Sequence, residues 1–107
     1  MNNEQLLKFK AWFSEYVSGF YGNNPEQNQI YKLKETHTLR VCENILTLGK
    51  SIHLSQNDLK IVEIAALFHD IGRFKQYLTY ATFNDTKSIN HAKLGIQQLS
   101  LHKILNG

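Results

Sequence analysis

Residues 65–74 read AALFHDIGRF: an apolar run suited to a buried helix that ends by placing an imidazole and a carboxylate side by side, at His69 and Asp70. Burying either group without a partner is costly, and an unpaired ionised carboxylate costs most. A partner is therefore expected within reach of the doublet.

Working outward, Ser55-Gln-Asn-Asp58 has the form of a capping box with Asp in the place of Glu or Gln, so a helix is expected to begin there. Between Leu59 and Phe68 only Lys60 and Glu63 are charged, which predicts a helix apolar on most sides and central to the fold. Gly72 is expected to end it, with His69 and Asp70 in its last turn. Neighbouring helical positions point about 100° apart, so the two side chains can address one ion only near a helix end.

Upstream, Leu6, Phe9, Phe13, Tyr16 and Phe20 step by three or four and predict a first helix over residues 3–20. The stretch GFYGNNPE, residues 19–26, with the only proline, ends it as a loop. A second helix is expected from Gln27 or Ile30 to Ser51, with Ile30, Leu33, His37, Val41, Ile45, Leu48 and Ile52 on one face. His37 then falls on the apolar side, where a hydrophobe would pack. Residues 75–88 read as a loop, and a fourth helix is expected from Ser88 or Asn90 as N-cap to the end of the chain. No strand-like alternation of useful length occurs, and the pattern is all-α.

At 107 residues with 42% hydrophobic content the chain matches one domain with a modest core. No apolar segment approaches the roughly 20 residues of a membrane span, and the N-terminus lacks a signal-peptide pattern. A cytoplasmic protein with no membrane role is expected. Cys42 has no partner for an internal disulfide and reads as a packed hydrophobe rather than a nucleophile. The net charge of +3, from 12 Lys and Arg against 9 Asp and Glu, is mild and scattered. It argues against nucleic acid as a partner and is compatible with small anions such as nucleotides. Trp12, Phe13, Tyr16 and Phe20 read as core rather than a base-stacking platform, and His53 and His102 as surface residues.

Three predicted helices thus bring histidines to unusual places: His37 on the second, His69 with Asp70 on the third, His91 opening the fourth. A divalent metal would explain them together, because imidazoles and carboxylates bind such ions and the cation removes the penalty of burying Asp70. The bland alternatives are a hydrogen-bonded core histidine at His37, a helix C-terminus at His69-Asp70, and an exposed His91.

THTLRV at residues 36–41 followed by ALFHDIGRF at residues 66–74 resembles the HD superfamily of metal-dependent phosphohydrolases, named for the doublet. The likeness runs from about His37 to Leu99. It implies an all-α HD-type bundle with an HD core over residues 28–107, in one domain covering residues 1–107. It also implies a divalent ion (Mn, Fe, Zn, Ni, Co or Mg) with His37, His69 and Asp70 as three of four ligands. NHAKLG at residues 90–95 is similar to the His-x-x-x-Gly step of two-metal members, making His91 a ligand of a second ion or a substrate contact. Arg73 and Arg40 become candidates for holding phosphate oxygens, beside Asp70 in the catalytic set. Glu63, two turns before Asp70, is a weaker candidate for proton transfer. The implied reaction is hydrolysis of a phosphoester of a nucleotide or related small molecule.

The family's fourth ligand is an Asp on a later helix, and no Asp follows Asp85 here. Three readings stay open: the chain is an N-terminal piece of a longer protein, Asp85 substitutes, or the domain is a catalytically incomplete nucleotide-binding or signalling module. A bundle cut short would expose an apolar face, which a homodimer would cover.

Overall fold

The structure, a computed structural model, describes residues 1–102. The chain is all-α: the described residues form five helices, α1 (Asn3–Ser18), α2 (Pro25–Ser51), α3 (Gln56–Phe68), α4 (Gly72–Tyr80) and α5 (His91–Leu101), and no strand. They fall into two compact units, one of residues 1–67 and one from residue 68 onward. The expected continuation of the last helix over residues 103–107 lies outside the described residues.

In the first unit the helix starts are written in side chains. Asn2 and Gln5 form a reciprocal capping box on α1. Asn24 accepts from the Glu26 and Gln27 backbone N–H groups, with Pro25 at the first position of α2, so α2 begins earlier than the apolar pattern suggested. Asn28 pins the preceding loop through two bonds to the Gly22 backbone. The Ser55 hydroxyl accepts from the Asp58 N–H at 3.1 Å, as expected at the start of α3.

The buried face of α2 differs from the expected one. Tyr31, Thr38, Cys42 and Gly49 are buried, while Leu33, Leu48 and Ile52 are 63%, 57% and 61% exposed and His37 is exposed too. A Cβ on Gly49 would sit 2.8 Å from a Leu59 methyl, so α2 and α3 come close at Gly49, and Tyr31, Thr38 and Cys42 complete the buried side of α2. His37 therefore does not replace a core hydrophobe.

On α3 the inward residues are Leu59, Glu63, Ile64, Ala66 and Leu67, whereas Ile61 is 46% exposed. The buried Glu63 carboxylate is paired with Lys10 of α1, and its carbonyl accepts a weak bond from the Cys42 thiol. A pocket of about 330 Å³ lies beside this pair, with Phe13, Leu39, Cys42, Leu46 and Leu67 in its wall. Phe13 is buried, and Trp12, Tyr16 and Phe20 are half-buried in a chain of ring contacts from Trp12 to Tyr31. They pack rather than form an open platform.

The second unit corrects the expectation of a loop over residues 75–88, because α4 occupies residues 72–80. Its buried residues are Gly72, Phe74 and Gln76. A glutamine at an inward position hides the apolar repeat from which a nine-residue helix would be recognised. The helix ends at Ala81, whose N–H still bonds the Tyr77 carbonyl at 2.8 Å and whose left-handed φ of 54° then turns the chain out of the helix. A loop then leads to α5, capped by Asn90 as expected, its side chain accepting from the Ala92 N–H.

Gly72 does not end α3 but opens α4, and its lack of a side chain serves a close crossing. A Cβ there would collide with the His91 carbonyl oxygen and lie 2.5 Å from the Gly95 nitrogen, and one on Gly95 would lie 3.3 Å from the Gly72 nitrogen. The first turns of α4 and α5 therefore touch backbone to backbone.

Candidate metal centre

That crossing places His91 against the doublet. α3 stops at Phe68, so His69 and Asp70 lie in the turn before α4 rather than in the last turn of α3. The Ile71 N–H bonds the Phe68 carbonyl, and the Asp70 carbonyl accepts from the Arg73 N–H. Freed from helical geometry, the two side chains point to one place: His69 Nε2 lies 3.3 Å from Asp70 Oδ2. On the other side His91 Nε2 lies 3.4 Å from Asp70 Oδ1. The carboxylate is only 13% exposed and is flanked by an imidazole at each oxygen.

Behind His91 stands a second carboxylate. Asp85, in the α4–α5 loop, accepts the His91 backbone N–H at 2.9 Å on Oδ1 and places Oδ2 3.0 Å from His91 Nδ1. Gln76 donates to Asp85 Oδ1 at 2.9 Å. These bonds, the His91 N–H foremost, hold the Asp85 carboxyl down at about 2, so at neutral pH it is an anion that can only accept.

Arg73 is drawn into the same frame. Its Nη1 donates to Gln76 Oε1 at 3.0 Å and to the Phe83 carbonyl at 2.9 Å. The guanidinium also lies 3.9 Å from Asp70 and 3.5 Å from Asp85. His37 and Arg40 lie one turn apart on the exposed side of α2, in the first unit. Glu63 is engaged by Lys10. His53 and His102 are exposed, and Cys42 is a buried thiol that burial, then the Glu63 charge, pushes up and away from nucleophilic reactivity.

Of the residues singled out in the sequence, the second unit brings together His69, Asp70, Arg73 and His91, with Asp85 behind them. Gln76 was not foreseen, because its stretch read as loop and a polar side chain reveals an inward role only once its helix is known, and Ser88 was offered only as an alternative N-cap in a place that Asn90 takes.

His69 and Asp70 supply an imidazole nitrogen and a carboxylate oxygen 3.3 Å apart, close to the roughly 3–3.4 Å between neighbouring donors of one small divalent ion with bonds of about 2.1 Å, whereas His91 faces the other Asp70 oxygen. A hydrogen-bonded carboxylate behind a ligating histidine is also the usual outer support of such sites.

Searches of curated proteins and of solved structures returned no match. The family model described as HD domain matches residues 35–107, which include the doublet, His37 and His91. HD domains typically bind divalent metals, in keeping with the donors gathered at Asp70, and by this match the chain belongs to the HD domain family.

Proposed function

We propose that this chain is a metal-dependent phosphohydrolase acting on a phosphoester of a nucleotide or a related small molecule. The observation that carries the reading is Asp70, a largely buried carboxylate with an imidazole nitrogen 3.3 Å from one oxygen and another 3.4 Å from the other, in a chain matched by the HD domain model.

His69 and Asp70 would hold the ion, and the resemblance implies His37 as a further ligand. His91, on the opposite Asp70 oxygen, serves a second ion or the substrate. When bound, a divalent ion lowers the pKa of water toward neutrality and polarises a phosphoryl oxygen. The protein's own part is to fix and charge-balance the site. Asp70 orients the donors around it, and the Arg73 guanidinium, held by Gln76 and the Phe83 carbonyl, keeps positive charge beside Asp70 as negative charge gathers on the phosphoryl group. Arg40, exposed one turn from His37, supplies a fork suited to phosphate oxygens.

The test, with Mn²⁺, is phosphate release from nucleoside monophosphates and an aryl phosphate, and formation of nucleoside monophosphate from cyclic nucleotides. Turnover is expected to vanish with chelator and return with Mn²⁺. In a folded Asp70→Ala variant it falls by more than about 100-fold, the upper end of what losing an outer-shell partner costs. A metal-loaded chain that turns over none of these would contradict hydrolysis and leave the incomplete binding module.

A further inference from the structure

The loop between α4 and α5 is organised by an amide with no access to solvent. Gln76 is 0% exposed. Its Nε2 donates to Asp85 Oδ1 at 2.9 Å and to the Ser88 hydroxyl at 2.8 Å, while its Oε1 accepts from Arg73 Nη1 at 3.0 Å. The Ser88 hydroxyl in turn donates to the Ile89 carbonyl at 2.8 Å. Burying an amide is tolerable only when its donors and acceptor are matched, and here the match fixes one oxygen of Asp85.

Capping α5 would require Asp85 only to accept the His91 backbone N–H. The carboxylate does more, because its second oxygen lies 3.0 Å from His91 Nδ1. An acceptor-only group at that distance calls for a proton on Nδ1. The opposite nitrogen, Nε2, is the one turned toward Asp70.

We propose that Asp85 is a positioning residue that holds His91 as the Nδ1–H tautomer, leaving the Nε2 lone pair aimed at the Asp70 side for a cation or a proton, with Gln76 fixing Asp85 in that pose. The functional weight of this inference rests on the reading of His91 and Asp70 as parts of a metal centre, while the tautomer itself can be observed without metal. Asp85 then stands behind the donors rather than among them.

The test uses the full chain, labelled with ¹⁵N-histidine and stripped of metal, at pH 8. Long-range proton–nitrogen correlation assigns the tautomer of His91, with His91→Gln identifying its signal. The expected result is Nδ1–H in the wild type, a move toward Nε2–H in Asp85→Asn, and return of Nδ1–H in Asp85→Glu. Calorimetric titration with Zn²⁺ alone is expected to show Asp85→Asn binding about 10–100-fold more weakly than wild type. An Nε2–H wild type overturns the proposal even where no variant folds. So does a folded Asp85→Asn that keeps both the Nδ1–H tautomer and wild-type Zn²⁺ affinity. An Nδ1–H wild type that switches in Asp85→Asn yet binds no Zn²⁺ upholds the positioning and overturns the metal centre instead.

Discussion

Gly72 and Gly95 meet backbone to backbone, so closely that a methyl group on Gly72 would lie 2.5 Å from the Gly95 nitrogen as well as colliding with the His91 carbonyl. This crossing sets His91 beside Asp70. Backbone cannot move aside as a side chain can, so Gly72→Ala is expected to destabilise by about 3 kcal/mol or more. Gly95→Ala, whose Cβ would lie 3.0 Å from an Ile71 methyl and 3.3 Å from the Gly72 nitrogen, is expected to cost less. Urea unfolding of the three proteins checks the order. Equal stability of wild type and Gly72→Ala would contradict the crossing.

The glycine shows how far sequence reading reached. Asn90, Ser55 and the helical regions around Phe13, Leu48 and Leu67 were legible, because capping and three-to-four spacing are local signals. The donors at His69, Asp70 and His91 were legible as residue types. Cys42 was legible as a packed residue, but the rest of the inward face of α2 was not, since Tyr31, Thr38 and Gly49 lie off the row of Ile30, Leu33 and Leu48 from which that face was read. Nor was α4, where Gln76 occupies a core position, and with it went the role of Asp85.

Replacing Gln76 by leucine keeps the volume and removes every bond the amide makes. Asp85 and Ser88 lose a donor, and Arg73 loses an acceptor. Loss of one buried partner costs about 1–3 kcal/mol, and partial exposure of Asp85 and Arg73 places the expected loss in the lower half of that range. Hydrogen exchange measured by mass spectrometry is expected to quicken over residues 81–90 before it changes in α1 or α2. Unchanged protection of that loop in Gln76→Leu would contradict the role given to the amide.

Cys42 and Tyr21 of the first unit predict alkaline sensitivity. Burial, then the Glu63 charge, raises the Cys42 thiol, and burial, then Glu35, pushes the Tyr21 hydroxyl up to about 12. Both folded values lie above the unfolded ones, so each contribution to stability is complete below the unfolded value and is lost as pH rises toward the folded one. Denaturant midpoints are expected to fall between pH 8 and pH 11, roughly the span of the unperturbed thiol and phenol, and less steeply in Cys42→Ala. Iodoacetamide at pH 8 is expected to label native Cys42 at least about tenfold more slowly than the urea-unfolded chain. Equal labelling rates would show the thiol open to solvent.

The central claim is that Asp70 and the histidines around it hold a divalent ion. The most direct measurement is elemental analysis of the purified chain beside His69→Ala, after exchange into chelator-free buffer and again after reloading with Mn²⁺, Fe²⁺, Zn²⁺ or Ni²⁺. Close to stoichiometric metal is expected in the wild type and its loss in the variant, with helical content unchanged. No metal in either protein after reloading, or equal metal in both, would contradict it.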